Sequence, residues 1–146
     1  MNVGIEFDFV VRDSLEAIEL YEQIFDVEVL EKTDFPRGEN EVIFTLYGLH
    51  LHMLDENPNF HLIAPKPDAP ITSWINVTVP DIKETYEKAL ELGCEEVQPI
   101  TKIEAMGLSN AIFKDPFGYI WMLHEVHREV SREEMIEFWE KQREAD

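Results

Sequence analysis

Cysteine is nearly absent from this chain, positive charge is scarce, and no long apolar run occurs. Each shortage excludes something. Cys94 is the single cysteine, so no disulfide forms within the chain. Placed after Gly93 at the end of an expected helix, it reads as a small buried hydrophobe rather than a reactive thiol. Twelve basic residues stand against 31 acidic ones, a formal net charge of −19 over 146 residues. Such a surface repels phosphate backbones and anionic membranes, so neither nucleic acid nor a membrane is an expected partner, whereas cationic ligands are attracted. No apolar stretch approaches the length of a membrane span. Glu6 and Asp8 interrupt the first apolar segment and no basic stretch precedes it, so a cytoplasmic location is expected. The sequence also lacks a glycine-rich phosphate loop, a nucleophile elbow, a paired-cysteine zinc motif and an HExxH helix.

What is present is a core-forming composition, 45% apolar, laid out twice. Residues 5–13 read IEFDFVVRD and residues 73–81 read SWINVTVPD, an offset of 68. Apolar residues alternate in both, the mark of half-buried strands: Ile5, Phe7, Phe9 and Val11 take one face in the first, with Glu6 and Asp8 on the other. In the second, Ile75, Val77 and Val79 alternate with Trp74, Asn76 and Thr78. A helix should follow each strand, opened by Asp13 with Glu16 and by Asp81 with Glu84, in capping-box fashion. Ala17, Leu20, Tyr21, Ile24 and Phe25 form one apolar stripe, and Ile82, Tyr86, Ala89 and Leu90 the other. Three strands are expected after each helix, near 27–34, 40–47 and 49–55 and near 96–104, 109–114 and 119–126. The expected fold is α+β, two tandem βαβββ modules forming a cupped mixed sheet, plus a C-terminal helix. As a single domain over 1–146 it divides into a first module (1–57), a proline-rich linker (58–71), a second module (72–127) and a final helix (128–146). Ser131 caps that helix, and its Met135, Ile136, Phe138 and Trp139 face either their own sheet or a second copy of the chain.

This tandem pattern resembles the vicinal-oxygen-chelate superfamily, which includes glyoxalase I, extradiol dioxygenases and the bleomycin- and fosfomycin-resistance proteins. The sharpest local match is Asp115-Pro116-Phe117-Gly118-Tyr119-Ile120-Trp121-Met122, similar to the DPFG-x-x-W turn of the PhnB-like branch. Glu129-Val130-Ser131-Arg132-Glu133-Glu134-Met135 is similar to that branch's VSxEEM segment. Enzymes of the superfamily hold a divalent metal on four inward positions, two per module. Carried over, these positions are Glu6, His52, Trp74 and Met122. Glu6 and His52 are competent ligands for a hard divalent ion, whereas an indole and a thioether are not. The resemblance therefore implies a half-dismantled metal site. A weakly held divalent ion would use Glu6 and His52, with His124, Asp8 or His50 as rescue candidates. The metal set closest to a facial triad is Glu6, His52 and His124. His61 and His127 fit no constellation and are expected to face solvent.

Three functions from different classes follow. One is a small-molecule binder without a tightly bound metal, its ligand contacts drawn from Glu6, Asp8, His52, Trp74, Asn76, Met122 and His124. Bleomycin-resistance proteins sequester a cationic drug in this manner, in grooves made by a homodimer, and the resemblance implies a homodimer here. Another is a metal-dependent lyase, isomerase, dioxygenase or thiol transferase, with Glu6 as metal ligand or general base. A regulatory module docking through the last helix is a third.

Overall fold

The computed structural model describes residues 3–145. Among these residues the chain forms two four-stranded mixed sheets with a helix after the first strand of each, and a C-terminal helix, the α+β arrangement expected. Two compact units result. One runs to Thr72 and takes in Pro116–Tyr119; the other comprises Ser73–Asp115 and the chain from Ile120 onward.

The first unit holds β1 (Asp8–Val11), α1 (Ser14–Ile24), β2 (Val27–Lys32), β3 (Glu41–Leu46) and β4 (Leu49–Asp55). The sheet order is β1-β4-β3-β2, with β1 parallel to β4 and the remaining pairs antiparallel. The Asp13 carboxylate accepts from the Glu16 amide at 3.1 Å and so caps α1. Ser14, Ala17, Ile18, Tyr21 and Ile24 are buried, the spacing of one helical face. Ile18 thus belongs to the stripe, and Leu20, expected there, is only half-buried. A two-residue loop joins β3 to β4, with positive φ at Tyr47 (47°) and Gly48 (84°), as a hairpin with the twist of its strands requires.

Asp55, at the end of β4, is buried and accepts four hydrogen bonds. Ser14 donates through its amide and its hydroxyl (both 2.7 Å), Gly38 through its amide (2.8 Å) and Asn40 through its amide (3.0 Å). Burial alone would raise its pKa; these donors outweigh that and hold it below the ordinary carboxylate value.

The second unit repeats the order with β5 (Ile75–Thr78), α2 (Ile82–Glu91), β6 (Glu95–Ile103), β7 (Leu108–Lys114) and β8 (Ile120–Val126), arranged β5-β8-β7-β6. Asp81 caps α2 through the Glu84 amide at 3.0 Å. Val77, Ile82, Tyr86, Ala89, Phe113, Trp121 and Leu123 are buried. Cys94 is buried too, and burial, then the charge of Asp115, pushes its thiol up to about 12, which fits an inert hydrophobe.

Two local readings change. The first strand was expected to bury Ile5 and Phe7, yet β1 begins only at Asp8 and both are exposed, at 102% and 52%. The parallel ladder with β4 spans Asp8–Val11 alone, so neither residue is laid beneath α1. The expected extended linker contains a short 3-10 turn, Pro58–Phe60, capped by the Asn57 side chain. The last helix, α3 (Arg132–Ala145), starts at its Ser131 cap but buries none of its described residues, leaving Ile136 and Trp139 exposed.

Candidate functional site

Strand alternation decides which side chains reach the sheet face opposite α1. On β3, Val42, Phe44 and Leu46 are buried, which turns Glu41, Ile43 and Thr45 outward. On β4, Leu51, Met53 and Asp55 are buried, turning His50, His52 and Leu54 outward. Pairing sets Asp8 beside His52, Ile43 on its other flank, and Glu41 beside Leu54.

Three carboxylates converge on the His52 ring. Its Nδ1 lies 2.7 Å from Glu6 Oε1 and 3.4 Å from Asp8 Oδ1, and its Nε2 lies 3.1 Å from Glu41 Oε2. The imidazole is largely covered, with 14% side-chain exposure, whereas each carboxylate is about half open to solvent. An ionised carboxylate only accepts, so both ring nitrogens must donate, and the favoured state is imidazolium. Burial by itself would lower the His52 pKa; the hydrogen bonds to Glu6 and Glu41 and the charges of Asp8 and Glu41 outweigh it and raise it. Burial, and then the hydrogen bond with Glu6, raise Asp8. That same bond, followed by the one to His52, lowers Glu6.

Glu6, Asp8 and His52 are therefore brought together, and their ligand atoms lie within 4.8 Å of one another. The make-up, two carboxylates and one imidazole, suits a divalent ion of hard or intermediate character. Of the metal set expected from sequence, Glu6 and His52 belong to this group, its third donor is Asp8, and His124 lies in the second unit. Glu41 was missed. The alternation of Glu41-Val42-Ile43-Phe44-Thr45-Leu46 carries the signal, but only the cross-strand register shows that its carboxylate reaches His52.

The second sheet places the remaining candidates. Asn76 pairs with Met122 on β8, as Asp8 pairs with His52. Ile112 flanks Met122 as Ile43 flanks His52, and Asn110 pairs with His124 as Glu41 pairs with Leu54. Trp74, just before β5, is exposed at 55%. Asn110 accepts a hydrogen bond from Gln98 Nε2 at 2.7 Å, and burial lowers the His124 pKa, favouring its neutral form. His61 is exposed, as expected. His127 is exposed as well, as expected, but it does belong to a group: its Nε2 is 2.8 Å from Ser109 Oγ and its Nδ1 is 3.1 Å from Glu125.

Comparison with known proteins gives a consistent picture. The sequence model described as Glyoxalase/Bleomycin resistance protein/Dioxygenase superfamily matches residues 6–123. An uncharacterized protein of Mycobacterium bovis is 27% identical over 130 residues, covering 86% of this chain and 85% of its own length. Among solved structures, the fosfomycin resistance protein FosX of Listeria monocytogenes, complexed with Mn(II) and sulfate, superposes with a TM-score of 0.66 at 17% identity. That match covers 95% of this chain and 99% of FosX. TioX of a Micromonospora species superposes at 0.61 with 15% identity, covering 88% of this chain and all of TioX.

Proposed function

Because this chain belongs to the glyoxalase/bleomycin resistance protein/dioxygenase superfamily, we propose that it is a small-molecule-binding member whose first sheet receives a cationic group. The observation that carries this reading is the convergence of Glu6, Asp8 and Glu41 on the single imidazole of His52. Three carboxylates against one imidazolium leave excess negative charge on an open face, and the net charge of −19 adds a field of the same sign. An ammonium or amidinium group would exchange solvent for charge-assisted hydrogen bonds there. The second sheet carries a different set, Trp74, Asn76, Met122 and His124, whose aromatic plane, amide, thioether and neutral imidazole suit uncharged groups rather than the cation. The Asp115–Met122 and Glu129–Met135 segments support placement in the PhnB-like branch. Pairing of two copies belongs to the same reading, with twice the chain mass expected by light scattering.

Calorimetric titration with a panel of cationic aromatic amines tests this function. Saturable heat that weakens with added salt and is lost in an Asp8→Asn/Glu41→Gln variant is expected. Silence from every cation in the panel removes the reading.

A second reading is favoured by one specific observation, the orientation of His52. Its Nδ1 faces Glu6 and Asp8, while its Nε2–H donates to Glu41. That is the arrangement in which a carboxylate fixes a metal-ligating imidazole from behind. Glu6, Asp8 and His52 would hold a divalent ion, with Glu41 orienting the ring, and Mn(II) in a FosX structure supports the choice of ion. Such an ion supplies Lewis-acid polarisation of a carbonyl or phosphoryl oxygen. A near-stoichiometric divalent metal in untagged protein, absent from His52→Ala, would establish this reading. No retained manganese after incubation and desalting would remove it.

A further inference from the structure

At the far end of the second sheet, Ser109 on β7 and Glu125 on β8 stand directly opposite each other. The ring of His127, two residues beyond Glu125, bridges their side chains. Its Nδ1 meets Glu125 Oε2 at 3.1 Å and its Nε2 meets Ser109 Oγ at 2.8 Å. The carboxylate accepts only, so Nδ1 carries the ring proton. In the neutral imidazole Nε2 is then an acceptor, and the serine hydroxyl is its donor. The other carboxylate oxygen, Oε1, accepts from the Ile82 amide in the first turn of α2 at 3.0 Å, so Glu125 is itself fixed in place. The order is hydroxyl, base, then a carboxylate that orients the base, the logic of an activated nucleophile.

The matching corner of the first unit shows what a purely structural version looks like. There Asn40 sits opposite Asp55, and Asn57 follows two residues later. Both asparagines spend their amides on loop backbone, Asn40 on Phe35 and Asn57 on Gly38 and Asn59. Neither position carries a hydroxyl or a base. The second unit keeps the helix-capping carboxylate and replaces both amides with a nucleophile and an imidazole.

A cavity of about 90 Å³ lies beside this group, with His127 in its wall; Ser109, 5% exposed, sits behind the imidazole rather than in the wall itself. The cavity has room for about three waters at roughly 30 Å³ each, enough for a short acyl group. Lys102, Glu104 and Arg128 line the same cavity; Lys102 pairs with Glu104 at 3.1 Å and Arg128 donates to the Glu104 carbonyl at 2.8 Å, so one net positive charge remains in the wall for an oxygen that becomes negative during acyl transfer.

We propose that Ser109 is an acyl-accepting nucleophile, with His127 as its base and Glu125 as the orienting group, acting on esters of small carboxylic acids. Ser109 Oγ forms a bond to the ester carbonyl carbon as its proton passes to His127 Nε2. The bond from that carbon to the leaving oxygen breaks, and the departing alcohol takes the proton from Nε2. Water, deprotonated by the same nitrogen, then attacks the acyl-serine, releases the acid and restores the hydroxyl. The imidazolium formed in each half is stabilised at Nδ1 by Glu125. This site is independent of the cation site on the first sheet.

The test is incubation of the full chain with p-nitrophenyl acetate, followed by peptide-mapping mass spectrometry. One acetyl group on Ser109 is expected, absent from that peptide in Ser109→Ala. Its rate of formation should fall about a hundred-fold in His127→Gln, as loss of a general base predicts. Thermal melts of both variants check the fold, and a destabilised His127→Gln is replaced by His127→Asn for the same rate comparison. An unmodified Ser109 in the wild-type chain overturns the proposal, and so does acetylation at an undiminished rate in the His127 variants.

Discussion

The open faces of the two sheets share a backbone register and differ in chemistry at nearly every matched position. In the first unit Asp8 pairs with His52, and Glu41 reaches the same ring. In the second, Asn76 pairs with Met122, and Asn110 takes the place of Glu41 beside His124. Carboxylates have become amides, and the imidazole at the centre has become a thioether. Strand pairing is set by backbone hydrogen bonds and by the buried faces, so the outward residues are free to diverge. The helix-side carboxylates behave in the opposite way. Asp55 and Glu125 both remain, because each satisfies an amide at a helix N-terminus, which would otherwise be an unpaired buried donor.

The largest contrast between the units should appear in stability. Asp55→Ala strips partners from three backbone amides and one hydroxyl, and should cost about 3 kcal/mol. Glu125→Ala, which frees one helix-terminal amide, should cost about 1 kcal/mol. Urea unfolding of both variants measures this, and equal losses would break the comparison. The pH dependence follows the same carboxylate. With its folded-state pKa below the unfolded value, Asp55 contributes stability that is fully present above the unfolded value and lost as pH falls through the folded one. Wild-type protein should therefore lose stability on acidification more steeply than Asp55→Asn.

Next in size is the effect of importing second-sheet residues into the first. Asp8→Asn and Glu41→Asn should each weaken binding of a cationic ligand about ten-fold, roughly 1.4 kcal/mol, with less loss at high salt. The reverse changes, Asn76→Asp and Asn110→Asp, remodel the second sheet alone and should leave that affinity within about two-fold. Calorimetry on the four variants reads the difference.

Much of this was legible in the sequence because periodicity reports buried faces. The offset between the two repeats, the capping residues Asp13 and Asp81, and the alternation of β3 and β4 all survive in the structure. What escaped depends on pairing across the chain. Ile5 and Phe7 continue the alternation of β1, yet the residue pairing with β4 begins at Asp8 and only the Phe7 carbonyl, which accepts from the His52 amide, extends it; alternation alone cannot report where a ladder ends. Glu41 reaches His52 through antiparallel pairing with β4. His127 reaches Ser109 through the pairing of β7 with β8, and no linear spacing encodes that meeting.

The smallest expected effect is spectroscopic. His52 is raised by its carboxylates and His124 is lowered by burial, so in an NMR titration His124 should deprotonate at lower pH than His52. A raised folded-state value means that the His52 contribution is fully present below the unfolded-state pKa and disappears as pH rises through the folded-state one. Because its partners are half exposed, the stability involved should be small.

The most direct test follows the histidine ring signals while a cationic aromatic amine is titrated to saturation. Displacement of the His52 resonances, with the same saturation point as the calorimetric heat and abolished by Asp8→Asn/Glu41→Gln, is the predicted result. Saturable binding that leaves His52 unmoved would contradict a cation site on the first sheet.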